Sequence, residues 1–160
     1  MILSVAQLLG LAANAGFVGP DLDTAVAVAL AESGGNPTAY NPEKAAGAVQ
    51  GKGSFGLWQI YITAHPEFAG ENLLDPQTNA AAAYSIYAAA GNSFSPWSMF
   101  KNGAYEAQLA AVQAADSGNA AVDASAAPAD NSGEVGSTSD LLVLGLSGAI
   151  LLWLAMRTLG

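Results

Sequence analysis

The chain has 160 residues with thirteen acidic and four basic side chains, a net charge of -9, no cysteine and one histidine. Such a balance argues against a nucleic-acid binder, which needs a lysine and arginine patch to neutralise phosphates. The absence of cysteine and the lone His65 exclude a disulfide framework, a thiolate metal site and a histidine cluster, so neither a metal nor another cofactor is expected.

In chain order, the first segment is apolar and has the small-residue triplet Ala13-Asn14-Ala15, but no positive residues precede it as in a secretory signal. Ser4 as cap, Val5, Leu8, Leu9 and Ala12 at helical spacing, and Gly16 as stop predict the first amphipathic helix of a domain. A second helix is capped by Asp23 or Thr24, is apolar on all sides from Ala25 to Ala31, and stops at Gly34 and Gly35. Glu32 falls in its last turn. There the helix dipole and apolar walls disfavour ionisation, as a general acid requires; a carboxylate merely exposed at a frayed helix end is the alternative. The steps Asn36-Pro37 and Asn41-Pro42 predict turns, and the glycines from Gly47 to Gly53 a loop. Residues 54–61 alternate in a way that fits a short strand. Asp75-Pro76 starts a helix that Gly91 ends, Ser95-Pro96 starts another that ends at Asn102-Gly103, and Ala104 to Ala115 form a last one.

Four stretches resemble one family in order. Glu32-Ser33 followed by Asn36-Pro37, then Gly53-Ser54-Phe55-Gly56-Leu57-Trp58-Gln59-Ile60, then Asn72 to Ala81, then Trp97 to Gly103, are similar to elements of the soluble lytic transglycosylases and goose-type lysozymes of the lysozyme-like superfamily, the last as in its phage-borne members. The resemblance implies a mainly α, lysozyme-like fold over residues 1–115 and an enzyme that cleaves the β-1,4 bond between N-acetylmuramic acid and N-acetylglucosamine in peptidoglycan glycan strands. In the transglycosylases a single Glu protonates the leaving oxygen and then takes the proton of the sugar's own 6-hydroxyl, closing a 1,6-anhydro ring. Carried over, that role falls on Glu32. Ser33 would orient it, and Gln59 and the stretch Gly56 to Trp58 would contact the sugar; Gln59 satisfying buried backbone groups and Trp58 in the core are the structural alternatives. The resemblance supplies no second catalytic acid: Asp75 is accounted for as a cap, and Glu43, Glu67 and Glu71 lie in polar, turn-rich segments.

Two positions depart from the family pattern. Phe100 stands where many members have a tyrosine bonded to the catalytic acid, so that Tyr105, or Tyr84 or Tyr87, would have to replace it; Gln50 stands where many have a serine. Both bear on whether the product is an anhydro or a reducing sugar.

Beyond the domain, residues 116–139 carry four acids, no base and few large apolar groups, which predicts a disordered acidic linker with a span of roughly 25 to 30 Å. Leu141 to Met156 are sixteen residues without a charge, closed by Arg157. As a helix they measure about 24 Å against a hydrocarbon core of ~30 Å, and residues 140–160 are read as a single C-terminal transmembrane helix anchored in lipid rather than a core or partner-binding helix. Together with the phage-borne resemblance, the anchor suggests a virion protein, tied to an internal viral membrane or the host inner membrane and to other virion proteins, that opens the host wall during genome entry. A bacterial inner-membrane enzyme facing the periplasm, and a non-catalytic peptidoglycan-binding or structural protein, are the other readings.

Overall fold

Ser4 and Gln7 start the first helix, α1 (Val5–Ala15), by a reciprocal bond pair: the Gln7 amide donates to Ser4 Oγ at 3.3 Å, and the Ser4 amide to Gln7 Oε1 at 2.9 Å. This computed structural model describes residues 1–43 and 52–125, with only the backbone described over 119–125. Gln50, the linker beyond residue 125 and the expected anchor Leu141 to Met156 lie outside the described residues. Among the described residues no helix is long and apolar enough to cross a membrane.

Helix α2 (Pro20–Ser33) begins earlier than expected. Pro20 opens it because proline's fixed φ suits the first helical position and its missing N–H removes no helical bond there. Asp23 and Thr24, expected as caps, lie inside the first turns: the Thr24 hydroxyl donates back to the Pro20 carbonyl, and one carboxylate oxygen of Asp23 is buried with no partner among the described residues. Burial, and next the Asp116 carboxylate on the last helix, push the Asp23 carboxyl above its ordinary range. From Ala25 to Ala29 every side chain of α2 is buried. Their small size lets α1 and the last helix pack against them closely.

The middle of the chain adds a small sheet to the mainly helical fold, within and beside the stretch that alternates. Tyr40–Pro42 (β1), Gly53–Phe55 (β2) and Ile60–Tyr61 (β3) form a three-stranded antiparallel sheet in the order β1-β2-β3, with Tyr40 opposite Phe55 and Phe55 opposite Ile60. The step Asn41-Pro42 is therefore in a strand rather than a turn. It is tolerated because β1 is an edge, where proline's missing N–H interrupts no second ladder. The stretch after Phe55 turns back into β3, so the alternating segment is two short strands joined by a turn.

Helix α3 (Pro76–Ala89) follows the expected start, with the Thr78 amide donating to Asp75 Oδ1 at 2.9 Å. That bond and one from the Thr78 hydroxyl hold the Asp75 carboxyl below its ordinary value. Ser95-Pro96 form a turn, not a helix start, and the short helix α4 (Ser98–Lys101) begins three residues later. The last helix, α5, runs Glu106–Ser125, so ten residues assigned to the linker, 116–125, are helical. Its alanines have the highest helix propensity and outweigh the single Gly118. Aromatic rings tie the helices together: Phe17 lies 5.1 Å from both Tyr84 and Tyr87 and 5.8 Å from Phe94, all centroid to centroid.

Candidate active site

Glu32 is placed by the end of α2. Gly34 adopts φ 64°, the left-handed stop that a side chain would resist, and its amide closes the helix on the Leu30 carbonyl. The Glu32 side chain, half-buried, reaches the first turn of α4. Its Oε1 accepts from the Met99 backbone N–H at 3.2 Å and from the Ser98 hydroxyl at 3.4 Å. α4 has no side-chain cap of its own, so Glu32 supplies one from another helix. Burial pushes the Glu32 carboxyl above its ordinary value, and the Met99 and Ser98 bonds, which favour the charged form, offset this only in part. Both donors sit on Oε1. Oε2 has no partner among the described residues.

The remaining residues expected at the site distribute differently. The Ser33 hydroxyl donates to the Ala29 carbonyl at 2.9 Å, a bond within its own helix, so Ser98 and the Met99 amide orient Glu32 in its place. Trp58 is fully buried. Its indole N–H donates to the Ala25 carbonyl, its amide to Asn79 Oδ1, and its carbonyl accepts from the Trp97 indole, each at 2.9 Å, which is the core placement given as its structural alternative. Gly56 is structural as well. At φ 73° an added Cβ would stand 2.4 Å from both Asn79 Nδ2 and the Leu73 carbonyl oxygen, and its own carbonyl and amide are already bonded within the turn and to Ala39.

Gln59 holds a positive φ of 46° and is half-buried. Its Nε2 donates to the Gly56 carbonyl at 2.9 Å and the Ala39 carbonyl at 3.3 Å, so the amide ties the β2–β3 turn to the segment entering β1. That leaves Oε1 free among the described residues. No tyrosine takes the place that Phe100 vacates. Tyr105 stacks on Phe100 at 4.8 Å and 27°; the Tyr87 hydroxyl donates to Asp21, which pushes its phenol up to about 12; Tyr84 meets Phe17 edge-on.

Two residues with structural roles here escaped the sequence reading. Asn79 is fully buried and bonds the Trp58 amide, the Phe55 carbonyl and the Leu73 carbonyl, locking the β2–β3 turn onto α3. Its signal was an amide side chain directly before the alanine run of α3. Glu43 is not simply solvated: its carboxylate accepts from the Tyr61 hydroxyl at 2.5 Å and the Thr63 hydroxyl at 3.1 Å, across from β1 to β3.

No curated protein and no solved structure matches the chain. Residues 9–99 match the family described as a lysozyme like domain, more than half of the chain, and the matched span contains Glu32 and both of its donors while ending before Tyr105. The chain belongs to the lysozyme-like domain family.

Proposed function

We propose that the protein cleaves peptidoglycan glycan strands as a lytic transglycosylase, with Glu32 as the single acid and base. The observation that carries this reading is the half-buried carboxyl at the end of α2, raised in pKa, with one oxygen pinned by α4 and the other free. In the first step Oε2 gives its proton to the glycosidic oxygen as the C–O bond breaks. The Glu32 carboxylate then takes the proton of the 6-hydroxyl while that oxygen bonds to the anomeric carbon, closing the 1,6-anhydro ring and restoring the acid. Glu32→Gln cannot donate, and turnover of purified peptidoglycan is expected to fall roughly 100- to 10,000-fold. A variant keeping a large share of wild-type turnover overturns the assignment.

Hydrolysis is favoured by one observation, the fixed carboxylate of Glu43, since hydrolytic glycosidases use a second acid. Product mass separates the two, anhydro sugars being lighter than reducing sugars by one water. Anhydro products, and a Glu43→Gln variant with near-normal turnover, are the expected results. The proposed setting is a phage virion, with Leu141 to Met156 as its membrane anchor; the apolar run and the resemblance to phage-borne enzymes support it. Finding the protein in purified virions, released from membranes when Leu146 and Ile150 are both changed to Asp, is the expected outcome, since each charge near the bilayer centre costs roughly 2.5 to 3.5 kcal/mol.

A further inference from the structure

The short helix that supports Glu32 also carries a cation. α4 is a closed turn: the Lys101 amide donates to the Trp97 carbonyl at 3.2 Å and the Asn102 amide to the Ser98 carbonyl at 3.1 Å. Its first residue, Ser98, donates through its hydroxyl to Glu32 Oε1. Residues three apart in such a turn share a face, with Cβ atoms about 5 to 6 Å apart, and a helical side chain leans back over the turn before it. Lys101 therefore rises on the Ser98 side of α4. Its four-carbon stem brings the ammonium within reach of a molecule lying against Glu32.

That ammonium is unused within the fold. Among the described residues Lys101 is exposed and its side chain makes neither a hydrogen bond nor an ion pair, the one ion pair there being His65 with Glu67. Glu32 takes its bonds from Ser98 and Met99, not from the lysine. Lys52, the other lysine among the described residues, lies at the sheet, where its carbonyl accepts from the Glu43 amide. With thirteen acidic side chains against four basic ones, the chain repels an anion over most of its surface, so a cation next to the acid marks where an anionic group of a substrate is attracted. N-acetylmuramic acid has such a group. It differs from N-acetylglucosamine by a lactyl ether that ends in a carboxyl, free in peptide-free glycan and extended in the wall by a peptide with carboxylates of its own.

We propose that Lys101 reads a carboxylate on the lactyl arm of the N-acetylmuramic acid held at Glu32, and so sets the preference for this sugar over its neutral counterparts. The inference rests on the reading of Glu32 as the glycan-cleaving acid, and it is tested by binding, without turnover. The full chain carrying Glu32→Gln is titrated with four tetrasaccharides. They are alternating N-acetylglucosamine and N-acetylmuramic acid with free lactyl carboxylates, the same strand with lactyl amides, the same strand with a peptide on each lactyl arm, and N-acetylglucosamine alone.

The free-carboxylate strand is expected to bind roughly two- to fivefold tighter than its amide, the size of an exposed ion pair. Adding Lys101→Gln, or high salt, is expected to close that gap, and Lys101→Arg to keep it. The neutral ligands are expected to bind Lys101→Gln as before, which a damaged α4 would not allow. A gap carried by the peptide-bearing strand alone assigns the carboxylate to the peptide. Equal losses for charged and neutral ligands, no loss for any carboxylate-bearing ligand, or failure of all four to bind overturns the inference. Turnover of peptidoglycan by Glu32→Gln overturns the acid instead, so the two failures are distinguishable.

Discussion

At the scale of single residues, the proton on Glu32 bears on stability and, in the proposed reaction, on turnover. Its carboxyl is raised by burial, so the acid form persists to higher pH, and the alkaline limb of kcat/KM reports its loss. The Ser98 and Met99 bonds favour the charged form; Ser98→Ala removes one, and the alkaline limb is expected to move to higher pH in a pH-rate series. The stability effect follows the same sign. A carboxyl with a raised folded pKa contributes stability below its unfolded pKa and loses it as pH rises through the folded value. Glu32→Gln is therefore expected to melt at or above wild type at neutral pH, with the gain disappearing under acid conditions; a gain that grows on acidification contradicts the direction. Glu32 was legible in the sequence because a carboxylate before Gly34-Gly35 must lie at a helix end. The Ser33 hydroxyl turns back to its own backbone, as one late in a helix can, and the burial of Trp58 depends on Asn79, Trp97 and Ala25, distant residues that no local pattern brings together.

At the scale of elements, legibility followed the capping chemistry. α1 and α3 carry Ser4 and Asp75 as side-chain caps, and both were read from their starts. α2 begins on Gly19-Pro20 without a side-chain cap, and β1 to β3 are two or three residues each, too short for a full alternating pattern. Asn79 compensates for that brevity by anchoring the β2–β3 turn. Asn79→Ala strands the Trp58 amide and two carbonyls, at a cost of roughly 1 to 3 kcal/mol per buried group. A large fall in the denaturant midpoint is expected, and a loss within measurement error contradicts the role. The extension of α5 to Ser125 was missed because Asp116-Ser117-Gly118 looks like coil; the helix continues against α2, bringing Asp116 near Asp23. Asp116→Asn is expected to raise the melting temperature by removing the like charge beside Asp23, with the gain shrinking as pH falls and Asp23 is neutralised.

At the scale of the molecule, residues Met1–Ala127 form one compact unit that holds Glu32, its donors, the sheet and all of α5. A chain ending at Ala127 is expected to unfold cooperatively and to retain full turnover on soluble glycan fragments. One ending at Ala115 is expected to melt several degrees lower, because it cuts α5 at its middle. Within that unit Glu32 also joins two helices: it sits in the last turn of α2 and caps the first turn of α4. Each time it gives up or regains its proton, the strength of its hold on the Met99 amide changes with its charge. In the proposed reaction the turnover proton is thus coupled to the anchoring of α4, and hydrogen exchange at the Met99 amide is expected to slow as Glu32 ionises, making that one amide a gauge of the carboxyl's protonation.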